Sequence, residues 1–313
     1  MADKMATRQA YGKTLVELGA TVPNLVVMDA DLSKSTMTAE FSKAYPERFF
    51  NMGIAEQNLY GSACGLALSG KVVCASTFAM FASGRAFEIV RNSIGYTHAN
   101  VKVCATHAGI TVGEDGASHQ TFDDLALMRT IPGMTVVNPS DAISAAALLK
   151  QVVAFDGPAY VRLGRAAVPN FYTEETAKEI KLGKGTCLRE GGDITIVATG
   201  IMVNEAMMAA ETLSKEGIEA RVIDIHTIKP LDEEILVKAA KETGAIVTAE
   251  EHSIIGGLGG AVAEVISRRA PVRIGMVGQL DTFGESGKPE ELKEKYGMTA
   301  KDIINKVKEV LGK

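Results

Sequence analysis

Two stretches hold most of the residues that could do chemistry. GIAEQNLYGSACGLALSG places Glu56 in the first turn of a helix whose later turns are almost all small or apolar, so that helix is expected to be buried. A carboxylate entering such a segment loses hydration, which disfavours its charged form unless the helix terminus and a partner cation compensate; Glu56 is therefore a candidate poised acid. A plain N-terminal glutamate resting on free helix amides is the alternative. THAGITVGEDGASHQ gathers His107, Glu114, Asp115 and His119 among three glycines. Imidazole and carboxylate together can bond hydroxyl groups and exchange protons with them, and the glycines permit backbone geometry that other residues resist. A polar turn capping the next helix would explain Asp115 or Ser118 but leaves His107 and His119 without a purpose. Neither HxxxH nor a nearby cysteine gives metal-ligand spacing, so no metal is expected on this chain. His98, His226 and His252 lack such neighbourhoods and are expected to be structural or surface residues.

Arg8 at the start of a helix and Arg165 just after YVRLG could form bidentate bonds with a phosphate, provided that the fold makes them converge. GGLGG at 256–260 resembles part of a dinucleotide-binding turn, but Val262 stands where the third glycine of GxGxxG belongs, and no GxxxxGK[ST] loop occurs.

These residues need a scaffold, and the periodicity supplies one. NLVVMDAD, KVVCAST, VKVCATHAG, TVVNPS and AYVRLG read as strands separated by helical patterns. Continuous apolar strands are buried on both faces, so the expected fold class is α/β, with doubly wound, mainly parallel sheets. Near Asn170 a polar stretch suits a linker. DITIVATG, EARVIDIHTI, AIVTAEEHS and VRIGMVGQ then repeat the strand pattern, and KDIINKVKEVLGK closes as an amphipathic helix. Two domains are expected, 1–175 and 190–313, each burying its own core; 313 residues is ample for that. In open parallel sheets ligands sit beyond the carboxyl ends of the strands, where Ser33, Ser35, Glu56, Phe78, Phe81 and the His107–His119 stretch fall.

Composition narrows the function classes. With 46% hydrophobic and 23% charged residues the chain is globular, and a net charge of −5 without basic blocks gives no footprint for nucleic acid or an anionic membrane. Cys64, Cys74, Cys104 and Cys187 lie on apolar runs without CxxC spacing and are expected to be buried thiols. The opening MADKMATRQAYGK lacks the apolar core of a signal peptide, so a cytoplasmic location is expected.

Taken together, ATRQAYGKTLVELG, DADLSKST, GIAEQN, ASTFAMF, THAGITVGEDGASHQ, YVRLGR and VIDIHTIKPLD resemble, in this order and over nearly the whole chain, the pyrimidine-binding and C-terminal domains of transketolases. The resemblance implies a thiamine-diphosphate enzyme that transfers a two-carbon ketol unit between sugar phosphates, as in the pentose phosphate pathway. By the same resemblance Glu56 is the glutamate that bonds a ring nitrogen of the cofactor's aminopyrimidine, Phe78 and Phe81 pack on that ring, and Asp31 lies near it. His107, Asp115 and His119 are sugar-hydroxyl contacts or proton shuttles, and Arg8, Ser35 and Arg165 form a phosphate site.

The family's diphosphate-binding domain, with its GDG motif for Mg²⁺, is absent from this sequence. An N-terminal transketolase subunit is expected to supply it and to hold Mg²⁺, in a heterotetramer of two plus two chains. Ala117 stands where many members have Pro, and an apparent extra residue between Phe81 and RAFEIVR leaves a third aromatic without a counterpart. A β subunit of a 2-oxo acid dehydrogenase, a deoxyxylulose-phosphate synthase, a formaldehyde-accepting transketolase and a non-catalytic nucleotide-binding protein are the alternative readings.

Overall fold

The computed structural model describes residues 4–313. Three sheets form. A seven-stranded sheet runs in the order Thr227–Lys229, Thr135–Val137, Ala159–Arg162, Val101–Thr106, Val72–Phe78, Leu25–Asp29 and Phe49–Asn51. All its pairings are parallel except the first. A five-stranded sheet runs Arg273–Gln279, Ala245–Ser253, Ile194–Ala198, Ala220–Asp224 and Thr186–Arg189, with only the last strand antiparallel. Lys4–Ala6 and Ala167–Pro169 make a small antiparallel pair. The inner strands Leu25–Asp29, Val72–Phe78, Val101–Thr106 and Ile194–Ala198 are mostly Val, Ile, Ala and Cys and are buried throughout, as helix-covered parallel strands must be. The fold is α/β with mainly parallel sheets.

Several expectations need correction. VIDIHTI is not one strand: Ala220–Asp224 stays in the five-stranded sheet, while Thr227–Lys229 crosses to the edge of the other, pairing with Thr135–Val137. Each half buries apolar residues of its own, such as Leu15, Leu148 and Val161 in the first and Val203, Leu213 and Val307 in the second, but a further cluster spans both and joins Met128, Met134 and Tyr160 to Ile225, Leu236 and Leu258. The stretch after Asn170 is anchored rather than free. Tyr172 and Ile180 are buried, and the amides of Phe171 and Tyr172 both donate to Asp141 Oδ2 at 3.0 Å. Cys64, Cys74 and Cys104 are buried as expected, whereas Cys187 is exposed because it lies on an edge strand. Among the described residues no helix is long and apolar enough to cross a membrane.

Candidate functional site

The chain enters the seven-stranded sheet at Leu25–Asp29, passes first to Phe49–Asn51 on one side and then to Val72–Phe78 on the other. A crevice opens at the carboxyl ends of the strands where such a winding direction reverses. The candidate residues lie at those ends.

Glu56 is the first residue of the Glu56–Leu68 helix and is 2% exposed. Its burial is compensated in two ways: the helix N-terminus lies beneath it, and Arg85 Nη1 donates to its Oε2 at 2.9 Å. The helix is not wholly buried, contrary to expectation. Leu59, Tyr60, Ala63 and Cys64 face the core, but Gln57, Asn58, Gly61, Gly65 and Leu68 are exposed.

Phe78 ends the Val72–Phe78 strand and Phe81 opens a π-helical turn, Phe81–Arg85. A π turn holds one residue more than an α turn. That accounts physically for the extra residue before RAFEIVR, and it brings Arg85 round to Glu56. The Phe78 and Phe81 rings lie within 13° of parallel, 6.0 Å apart. His107 stacks on Phe78 at 3.9 Å, and His119 meets Phe81 edge-on at 5.4 Å. The Arg85 guanidinium lies 5.1 Å from the Phe81 ring centre. A flat, N–H-bearing group thus already fits between the Glu56 carboxylate and an aromatic face.

His107 follows the Val101–Thr106 strand at φ 58°, and its Nδ1 shares a 2.9 Å hydrogen bond with Thr106 Oγ1. Burial, reinforced by the charges of Arg8, Arg165 and His119, pushes its pKa down to about 3, so the ring is neutral at pH 7. Arg8 lies in the Thr7–Thr21 helix and donates to the backbone carbonyl of Ser35 at 2.6 Å. Burial, then the charge of Arg165, lowers its pKa. The two arginines therefore share one site with His107, as a phosphate reading requires. Arg165 meanwhile donates to the Val112 carbonyl and pairs with Glu114 at 3.0 Å. Asp115 is exposed on the same loop. Asp31, at φ 65°, accepts from Asn51 Nδ2 at 3.1 Å on the rim.

The sequence reading missed Arg85, Arg162 and Glu251. Arg162 and Glu251 carried a usable signal, each being a charge inside a strand otherwise fit for burial. Arg162 Nε donates to Asp124 Oδ2 at 2.8 Å, and both residues are buried. GGLGG is settled by Glu250: its carboxylate accepts from Leu258 N at 2.6 Å and Gly259 N at 2.7 Å. The helix N-terminus that a pyrophosphate would need is taken by the chain's own carboxylate.

The family model for the transketolase pyrimidine binding domain matches residues 3–170, and that for the transketolase C-terminal domain matches residues 183–303. A putative transketolase C-terminal section from Methanocaldococcus jannaschii is 51% identical over 98% of this chain and 96% of its own length. A 6-deoxy-6-sulfo-D-fructose transketolase subunit from a Clostridium species is 44% identical, over 97% of this chain and 94% of its own. Among solved structures, one described as a split gene transketolase, inactive beta4 tetramer, is 56% identical and superposes with a TM-score of 0.92, covering 98% of this chain and 99% of that one. Two family models in chain order, and relatives matched almost end to end, lead to one statement: the chain belongs to the transketolase family.

Proposed function

We propose that this chain is the pyrimidine-binding subunit of a two-chain transketolase that moves a two-carbon ketol unit from a ketose phosphate to an aldose phosphate. The observation that carries the reading is the buried Glu56 carboxylate facing a flat cation that rests on Phe81. A protonatable aminopyrimidine has the same shape and the same N–H donor, and apolar walls suit its ring. Bound there, thiamine diphosphate would supply the nucleophilic carbon and the electron sink that ketol transfer needs.

Glu56 would bond a ring nitrogen of the pyrimidine and set which nitrogen carries the proton. Phe78 and Phe81 would hold the ring's plane, with Asp31 on the rim beside it. His107, neutral at pH 7, and His119 would face sugar hydroxyls, and Asp115 would orient a hydroxyl. Arg8, Ser35 and Arg165 would hold the phosphate, and Glu114 would give up Arg165 to it. Each charge-assisted bond is worth roughly 1.5 to 3 kcal/mol, enough to orient the sugar from its far end. The diphosphate and Mg²⁺ would be held by a separate chain, in a heterotetramer of two plus two. Relatives of the same extent described as a subunit and as a split gene product support that arrangement.

A coupled transfer assay with xylulose 5-phosphate and ribose 5-phosphate tests the reading. The isolated chain should be inactive, and activity should appear on mixing with a diphosphate-binding chain. Turnover by the isolated chain, or none by the mixture with any ketose phosphate, would refute it.

A further inference from the structure

The loop from His107 to His119 owes its shape to the second half of the chain. Its three glycines, Gly109, Gly113 and Gly116, all have φ between 77° and 82°, and each is pressed against that half. A Cβ on Gly109 would lie 2.2 Å from the Glu251 carboxyl carbon, one on Gly113 3.2 Å from Pro289, and one on Gly116 2.4 Å from Ser286 Oγ. The first glycine is backed by a specific bond. Thr111 N donates to Glu251 Oε1 at 2.7 Å, across 140 residues of sequence.

Glu251 is 3% exposed and held in turn. Arg162 Nη2 donates to its backbone carbonyl at 2.9 Å, Arg162 Nη1 lies 4.0 Å from its Oε2, and Asp124 fixes Arg162 from the other side. Gln120 Nε2 closes the far end of the loop on the Glu285 carbonyl at 2.9 Å. We infer that Glu251 is a positioning residue for the substrate: from the C-terminal half it fixes the loop on which His107, Asp115 and His119 meet the sugar. The inference rests on the ketol-transfer reading for its kinetic part only. The geometry of the loop stands without it.

Glu251→Ala removes the acceptor of the Thr111 amide, whereas Glu251→Gln keeps it. In the isolated chain, hydrogen exchange followed by mass spectrometry should quicken over residues 108–116 by about tenfold or more in Glu251→Ala, with exchange in Ile194–Ala198 and Ala220–Asp224 unchanged. Glu251→Gln should restore protection to within about threefold of the parent. In the mixed enzyme, Glu251→Ala should raise KM for the phosphorylated ketose roughly tenfold or more, while KM for hydroxypyruvate, a donor without the phosphate or the sugar's further hydroxyls, moves less than about threefold. Parent-like loop exchange in Glu251→Ala, no rescue by Glu251→Gln, or an equal KM change for both donors would overturn the inference. Should the parent enzyme itself fail to transfer ketol units, the functional reading falls and the exchange comparison still decides the role of Glu251.

Discussion

Arg85 stands where the pyrimidine is proposed to go, so the two should compete. Its ion pair with Glu56 is half open, Arg85 being 53% exposed, and such pairs are worth no more than about 1 kcal/mol. Arg85→Ala should therefore tighten thiamine diphosphate binding by the two-chain enzyme, by no more than about fivefold, as read by titration calorimetry. Weaker binding would mean that the guanidinium supports the ring instead. His107 gives a second test. With its pKa pushed down to about 3, its imidazole should show no titration above pH 4.5 in NMR spectra of the isolated chain. Titration of His107 near its ordinary value would mean that its ring is not buried beside two arginines. The candidate residues could be picked out in the sequence because polar and aromatic types stand out directly after apolar strands. Their pairings were not: Arg85 meets Glu56 only after a π turn, and hydrophobic spacing does not reveal one.

At the scale of elements, most strands and the closing Ala300–Leu311 helix fall where apolar runs and amphipathic spacing put them. Thr227–Lys229 does not. Its three residues carry no signal for which sheet they join, and only the pairing with Thr135–Val137 decides it. The junction between the sheets is also polar in a way composition hides. Asp224 accepts from Ser140 Oγ at 2.5 Å and from Tyr172 OH at 2.9 Å, while its other oxygen has no partner. Burial pushes its pKa up to about 7 from the ordinary 3.8. A carboxyl whose folded-state value lies above its unfolded value contributes stability that is full below about pH 4 and lost as pH rises through about 7. At about 1.4 kcal/mol per unit the loss is on the order of a few kcal/mol. Asp224→Asn should accordingly raise Tm by several degrees at pH 8 and by little at pH 5, measured by calorimetry. Equal shifts at both pH values would mean that Asp224 is already ionised at pH 5.

At the scale of the whole molecule, the exposed face of Glu56–Leu68 is the feature that most needs a second chain. Gly61 and Gly65 sit within the helix with open space where a Cβ would be, although glycine costs about 1 kcal/mol there relative to alanine. Nothing among the described residues uses their smallness, whereas a closely approaching chain would. Gly65→Arg should leave the isolated chain as stable as before, or slightly more so, yet prevent assembly with the diphosphate-binding chain in sedimentation velocity. Normal assembly would place the partner elsewhere. The central claim, that this chain supplies one wall of a shared pocket with Glu56 on the pyrimidine, is tested most directly by hydrogen–deuterium exchange at the thiazolium carbon of thiamine diphosphate. Exchange should be fast only with both chains present, and Glu56→Gln should slow it by about a hundredfold or more without loss of assembly. Fast exchange with either chain alone, or an undiminished rate in the assembled Glu56→Gln enzyme, would contradict the claim.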